Sequence, residues 1–254
     1  MIISLLGSGN VASALGNAFA LAGTTIQQVY DRKLASSQKL ARQLKADATD
    51  NISKLAVADV FLICVSDDAI ERTANEINSR DQLCVHTSGS TPMTIFPKRI
   101  RHHGVFYPLQ TISSGRKINF KQVPICIEGN SKPVEKIIKD LAHKISDKVH
   151  LFSTEQRMYL HLAAVIANNF TNVLYAKAAD LLEDHHLSFQ LLHSLIAETS
   201  GKATELDPRK VQTGPASRND RQTIKKHLQL LEFYPDLRKI YLQLSRQIEQ
   251  QQKN

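Results

Sequence analysis

Residues 2–19, Ile-Ile-Ser-Leu-Leu-Gly-Ser-Gly-Asn-Val-Ala-Ser-Ala-Leu-Gly-Asn-Ala-Phe, decide how the first half of this chain is read. Ile2 to Leu6 is a short apolar run of the kind that forms a buried strand, and Gly7-Ser8-Gly9 ends it. From Asn10 onward apolar residues recur at helical spacing. Gly7, Gly9 and Ala12 therefore place a Gly-x-Gly-x-x-Ala pattern between a strand and a helix, and each position has a physical task there. Gly7 makes the tight turn, Gly9 leaves room for a pyrophosphate against the backbone, and Ala12 lets the helix pack closely, its N-terminus facing the anion. The stretch predicts a dinucleotide cradle formed by Gly7, Ser8, Gly9, Asn10 and Val11.

Asp31 lies 22 residues after Gly9, at the end of a second predicted strand, Thr25 to Tyr30. A carboxylate there bonds the ribose hydroxyls of NAD. Arg32 follows directly, with Lys33 and Lys39 near it, and a guanidinium at this point suits the 2′-phosphate of NADP. Asp31 is also placed to cap the helix beginning near Lys33. Occupied in that way it would leave Arg32 to read the phosphate, so the expected cofactor is NADP, with NAD the alternative.

The same alternation continues outward. Strands are predicted at Val60 to Val65, Leu83 to His86, Gly104 to Tyr107, Val123 to Ile127 and Val149 to Phe152, and helices at Asn10 to Ala22, Leu34 to Leu44, Asp68 to Asn78 and Pro133 to Lys144. After about residue 153 the pattern is helical throughout: Glu155 to Glu183, Ser188 to Thr199, Ser217 to Leu230 and Tyr234 to Gln251, with a turn-forming stretch from Gly201 to Pro215. The fold class is α/β, a Rossmann-like, doubly wound, mostly parallel sheet over residues 1–152, followed by an all-α domain over residues 153–254. The polar tail Gln247 to Asn254 is expected to fray.

Composition narrows the class. With 42% hydrophobic and 22% charged residues among 254, the chain is globular rather than disordered or fibrous. Its longest apolar run, Leu162 to Ala167, is far short of a membrane span, and no basic residue precedes Arg32 to make a signal peptide, so a cytoplasmic protein is expected. Cys64, Cys84 and Cys126 each sit in a β-branched run without metal-ligand spacing, which predicts buried, reduced thiols. The net charge of +8 is concentrated in residues 1–150, with 19 basic against 13 acidic residues. Only Lys98 to His103 is a dense basic cluster, and it carries no nucleic-acid-binding signature, so a phosphate-bearing cofactor or a small anionic substrate is the expected partner rather than nucleic acid.

Two more strand ends supply loops on the same edge of the sheet, Val65-Ser66-Asp67 and His86-Thr87-Ser88-Gly89-Ser90, and Tyr107 to Thr111 ends a fifth strand there. Val65 and Ser66 are candidate cofactor contacts and Ser88 a candidate substrate contact. In the long helix, His161, Asn168 and Tyr175 return to one stripe at 100° per residue, with Asn172 beside them. Such a stripe on an apolar helix meets either a polar network or a ligand. Ser217 is a plausible helix cap, which would put Arg218 in a first turn, beside free backbone N–H groups suited to a carboxylate or phosphate. There is no phosphate-binding loop of the GxxxxGK type, no HExxH, no GxSxG elbow and no paired metal-ligand spacing, so no metal is expected.

Five segments together resemble a known family: GSGNVA at Gly7 to Ala12, HTSGS at His86 to Ser90, YPLQT at Tyr107 to Thr111, EQRMYLHLAAVIANNFTNVLY at Glu155 to Tyr175, and GPASRND at Gly214 to Asp220. In that family a Rossmann-like domain precedes a helical domain of unknown function, and its members are described as NADP-linked oxidoreductases without an assigned reaction. More distantly the chain is similar to β-hydroxyacid dehydrogenases, pyrroline-carboxylate reductases and prephenate dehydrogenases, which bind NAD(P) in the first domain and substrate between the two. The resemblance implies the class and the cofactor but no substrate. Taken with the basic first half and the residues above, it leads to an expected hydride transfer between a nicotinamide and a small anionic carbonyl or imine compound, with His161, Asn168, Asn172, Arg218 and Ser88 as site residues. A dinucleotide-binding protein without turnover is the alternative. The hydroxyacid enzymes place a Lys one turn before an Asn, where this chain has Ala164; His161 lies one turn earlier and can substitute as the acid. Tyr107 stands where similar sequences usually have His. The long helix is too apolar for one exposed face, which predicts a homodimer through the helical domain.

Overall fold

The computed structural model describes residues 1–78 and 81–252. Its first part is built from β1 (Ile2–Leu6), α1 (Asn10–Leu21), β2 (Thr25–Tyr30), α2 (Leu34–Leu44), β3 (Asp47–Thr49), β4 (Val60–Ile63), α3 (Asp67–Glu76), β5 (Leu83–His86), β6 (His103–Pro108), β7 (Ile125–Gly129), α4 (Lys132–His143), β8 (Val149–Leu151) and α5 (Thr154–Ala164). The eight strands form one sheet in the order β3-β2-β1-β4-β5-β6-β7-β8. Every neighbouring pair is parallel except β6 with β7. This is the expected doubly wound, mostly parallel architecture.

The sequence sets it up through strands that are apolar on both faces. β4 and β5 are buried at every position, and side chains alternate between two cores. Leu5, Leu62 and Val85 face the core that includes Leu15 and Phe19 of α1, Leu40 of α2 and Ile138 of α4. Leu6, Ile63 and Cys84 face the opposite core, with Ile70 and Ala74 of α3 and Phe96. Helices on both faces satisfy both sets of side chains. Because β3 pairs with β2 whereas β4 pairs with β1, the chain reverses its direction of winding between β1 and β4. The loops that follow these two strands, Gly7–Gly9 and Cys64–Ser66, diverge and leave a crevice.

Some boundaries differ from the sequence reading. β3, an edge strand of three residues, carries too short a pattern to register, and β4 ends at Ile63 rather than Val65. The basic cluster at Lys98 to His103 stays at the surface, with three of its side chains tied to the rest of the fold. Arg99 bonds the carbonyls of Ala74 and Asn75 at the C-terminus of α3, Arg101 pairs with Asp81 at 3.7 Å, and His103 Nδ1 bonds the Ile100 carbonyl at 2.9 Å. The three cysteines are free and buried, and burial raises the thiol pKa of Cys64 and Cys84 to about 12 and that of Cys126 to about 11.

The chain divides into two compact units, Met1–Ala167 and Asn168–Asn254. The last strand ends at Leu151, one residue short of the expected Phe152, and the first unit runs on to Ala167, past the boundary read near residue 152. The second unit carries α6 (Thr171–Asp184), α7 (His193–Glu205), α8 (Arg221–Leu230) and α9 (Pro235–Gln251). Glycine did not stop α7, which runs through Gly201 to Glu205 where a turn was expected. The tail stays helical to Gln251 instead of fraying from Gln247, while Lys253 and Asn254 lie outside the described residues. No helix among the described residues is long and apolar enough to cross a membrane.

Candidate functional site

At the crevice between the loops after β1 and β4, two glycines do different work. Gly7 has φ +112°, and a Cβ there would lie 2.4 Å from the Cys64 carbonyl oxygen, so the fold itself demands glycine. Gly9 has φ −72°, a conformation open to any residue, and a Cβ added to it meets nothing within 4 Å. The protein's own packing makes no demand for glycine at position 9. The space belongs to whatever approaches the first turn of α1. That turn has Gly9 as its N-cap, no capping side chain and no acidic residue, which leaves backbone N–H groups and the positive end of the helix dipole open to an anion. Ala12 is fully buried, as close helix packing requires. Asn10 Nδ2 donates to the Ile112 carbonyl at 3.3 Å and Val11 packs on the core, so these two bring their backbone to the cradle rather than their side chains.

The cleft that opens there holds about 210 Å³ and is lined by Gly7, Ser8, Gly9, Tyr30, Asp31, Arg32, Val65, Ser66 and, from α3, Arg72 and Glu76. Asp31 does not cap α2: the N-cap is Lys33, without a side-chain bond. Instead the Asp31 carboxylate closes the turn before α2, accepting the Lys33 N–H at 3.0 Å and the Ser8 hydroxyl at 2.6 Å. Arg32 is exposed and makes no ion pair among the described residues, and Arg72 is held loosely by Glu76 at 3.9 Å. The cleft wall thus presents two guanidinium groups, while the Asp31 carboxylate already has two donors.

A second cluster surrounds the loop after β5. His86 is fully buried, and its Nδ1 accepts the Ser88 N–H at 3.2 Å. Burial, with the Arg157 charge adding to it, lowers its pKa to about 3, so the ring is neutral near pH 7. Ser88 is turned inward: its Oγ accepts the N–H groups of Ser90 at 3.2 Å and Thr91 at 2.9 Å and closes the turn, where the sequence offered it to a substrate. Ser90 Oγ donates to Asp67 at the start of α3 at 2.5 Å.

Opposite this loop stands α5. A capping box fixes its start, with the Ser153 Oγ and the Gln156 side chain each taking the other's backbone N–H. Arg157 and His161 then fall one turn apart on one face. Arg157 has 0% of its side chain exposed. Its Nη2 pairs with Glu128 of β7 at 3.1 Å, and its Nη1 donates to the carbonyls of Ser88 and Gly89 at 3.1 and 3.0 Å. Thr154 adds a 2.7 Å bond to Glu128. Next along the helix, His161 Nδ1 lies 3.0 Å from the Tyr107 hydroxyl of β6. Sequence reasoning singled out His161 but missed Arg157, Glu128 and the pairing with Tyr107. The i, i+4 spacing of Arg157 and His161 was the available signal; the partners on β6 and β7 needed the sheet order.

In the second unit, the stripe argument meets a correction. Residues Val165–Phe170 form a π-helical turn between α5 and α6, and each i→i+5 turn holds about one residue more than an α turn, so a spacing of seven no longer returns a side chain to one azimuth. Asn168 and Asn172 are exposed and make no side-chain hydrogen bond among the described residues. Arg218 is exposed as well, and it precedes a helix rather than opening one. The cap is Asp220, not Ser217: its carboxylate takes both the backbone N–H and the hydroxyl of Thr223, and Asn219 at φ +55° breaks any helix before it.

Two family models match the chain. One, an NADP oxidoreductase coenzyme F420-dependent domain, matches residues 2–88; the other, a domain of unknown function, matches residues 123–248. Among solved structures, a protein of Bacteroides fragilis provisionally named an NADP oxidoreductase is 37% identical over 98% of both chains, with a TM-score of 0.90. The chain belongs to this family. A Thermotoga maritima protein at 22% identity (99% of this chain, 98% of that one, TM-score 0.76) shares the fold. So does a reductive aminase of Aspergillus terreus at 14% (96% and 93%, TM-score 0.73), whose structure holds NADPH and ethyl levulinate. No curated protein matches. Within the family frame, the open volume at Gly9, the uncapped α1 and the exposed Arg32 fit a phosphorylated dinucleotide.

The buried state of His86 has a consequence for stability. Unfolded, an imidazole binds a proton near pH 6.5; folded, His86 refuses it down to about pH 3. Stability is therefore fully present above pH 6.5 and is lost as the pH falls below it, at up to about 1.4 kcal/mol per pH unit. Urea unfolding between pH 7 and pH 4 should show a shallower loss in His86→Asn than in the parent. Equal pH slopes would remove this account of His86.

Proposed function

We propose that this family member is an NADPH-dependent reductase of a small anionic carbonyl or imine compound. The observation that carries the reading is the open volume at Gly9, which the fold does not need, beside an exposed Arg32 that makes no ion pair among the described residues. When bound, NADPH supplies a hydride from its nicotinamide. The chain does the rest. Backbone N–H groups at the start of α1 hold the pyrophosphate, and Arg32 with Arg72 receives the 2′-phosphate. In its protonated form His161 gives the proton on the ring nitrogen away from Tyr107 to the acceptor atom that gains the electron pair, and the ring is left neutral. The inward Ser88 acts through the loop it closes. A cytoplasmic setting suits three buried thiols that remain unpaired.

The helical unit supports a further part of this reading, a homodimer formed through it. Among its described residues only Ala216, Leu231 and Ser245 are buried, while Phe170, Val173, Leu191 and Leu195 stay exposed along its helices. A unit that leaves so much apolar surface uncovered is completed by a second copy of the same apolar face.

Calorimetric titration tests the cofactor. Gly9→Glu should abolish NADPH binding with the fold intact, because the new side chain fills the pyrophosphate volume. Arg32→Ala should weaken NADPH by about tenfold or more and leave NADH nearly unchanged, since a charge-assisted contact is worth about 1.5 to 3 kcal/mol. Equal losses for both cofactors would overturn the NADP preference, and NADPH binding without turnover on any oxo-acid or imine would favour a binding module. Light scattering at micromolar concentration tests the assembly: twice the 28.4 kDa chain mass is expected, and a monomer would refute the dimer.

A further inference from the structure

Tyr107 stands where no role has been assigned to it, yet its surroundings are closely built. Its hydroxyl lies 3.0 Å from His161 Nδ1, and the two rings meet edge to face with centroids 5.8 Å apart. Gly89 is pressed against both: a Cβ added there would come within 2.6 Å of His161 Nδ1 and 2.7 Å of the Tyr107 ring carbon that bears the hydroxyl. Gly89 is itself held from behind, because its carbonyl and that of Ser88 accept the Arg157 guanidinium. The pair is therefore clamped in a space with no slack on the Nδ1 side. The opposite ring nitrogen, Nε2, has no protein partner among the described residues.

We propose that Tyr107 is a positioning residue for His161: its hydroxyl donates to Nδ1 and so holds the imidazole with its proton on Nε2, directed away from the pair. A neutral imidazole has one donor and one acceptor nitrogen, and the hydrogen bond made by one fixes the state of the other. Two facts set the direction of this bond. Burial raises the Tyr107 pKa to about 12, with Cys126 and Asp67 adding to the rise and Arg157 opposing it, so the phenol keeps its proton across the working range of most proteins. Tyr107 Oη has no acceptor other than His161 Nδ1 among the described residues, and a half-buried hydroxyl hydrogen left without one is unfavourable. An Nδ1–H on His161 would leave that phenol hydrogen unmatched.

The inference rests on the reading of His161 as the proton-holding group, and it can be tested without a substrate. Nitrogen-15 NMR of histidine-labelled protein, at a pH where the ring is neutral, distinguishes a protonated from a hydrogen-bonded, unprotonated Nδ1. The parent should show His161 with Nδ1 unprotonated and shifted by an accepted hydrogen bond. In Tyr107→Phe that shift should vanish while the remaining histidine signals stay in place. Gly89→Ala should produce the same loss with both side chains present, because it forces them apart. A protonated Nδ1 in the parent, or an unchanged Nδ1 signal in Tyr107→Phe, would overturn the assignment. NADPH titration of the same samples reports on the cofactor cleft separately, so a failed cofactor reading and a failed tautomer assignment give different results.

Discussion

Arg157 carries a permanent charge with none of its side chain exposed, and the first unit is arranged around that charge. Taking a guanidinium out of water is unfavourable by several kcal/mol, and one ion pair rarely recovers it alone. Here the carboxylate of Glu128 is joined by two backbone carbonyls, leaving only Nε without a partner. The result is a tie between three elements: α5, the second-last strand β7 and the loop after β5. Removing one side of such a buried pair typically destabilises a protein by about 3 to 5 kcal/mol, because the other is left charged and dry. A hydrophobic pair of equal volume would pack as well, so the tie is better explained by what it places than by the stability it adds.

What it places is the His161 ring. One turn beyond Arg157, that imidazole meets Tyr107 of β6 and the Cα of Gly89, the same residue whose carbonyl Arg157 binds. The loop after β5 is stiffened further by Ser88 Oγ, by the neutral His86 and by the contact of Ser90 with Asp67. Asp67 opens α3, the helix whose Arg72 lines the cofactor cleft. The cofactor cradle and His161 thus share one framework on the carboxyl edge of a mostly parallel sheet, where open α/β folds bind their ligands.

The sequence disclosed what depends on local pattern and hid what depends on register. Gly7, Gly9 and Ala12 between a strand and a helix announced the cradle, and the change to a helical period placed the end of the last strand within one residue, at Phe152 against Leu151. Asp31 was legible as an acidic strand end, but its bonds to Ser8 and Lys33 depend on the turn the loop adopts. The Arg157–Glu128 and Tyr107–His161 pairs join residues 29 and 54 positions apart, and no periodicity connects them. The stripe through Asn168 presumed a regular helix, and six π-helical residues undid that presumption without leaving a trace in the apolar pattern. Asp220 displaced Ser217 as a cap because Asn219 adopts a left-handed conformation that composition does not reveal.

The central claim is that this framework presents His161 to the reactive end of a bound dinucleotide. Intermolecular nuclear Overhauser effects between NADPH and the protein test it most directly. Cross-peaks from the nicotinamide C4 protons to the His161 ring, alongside contacts of the adenosine end with Arg32, are the predicted result. NADPH bound with its adenosine at Arg32 but with no nicotinamide contact to His161 would contradict the account.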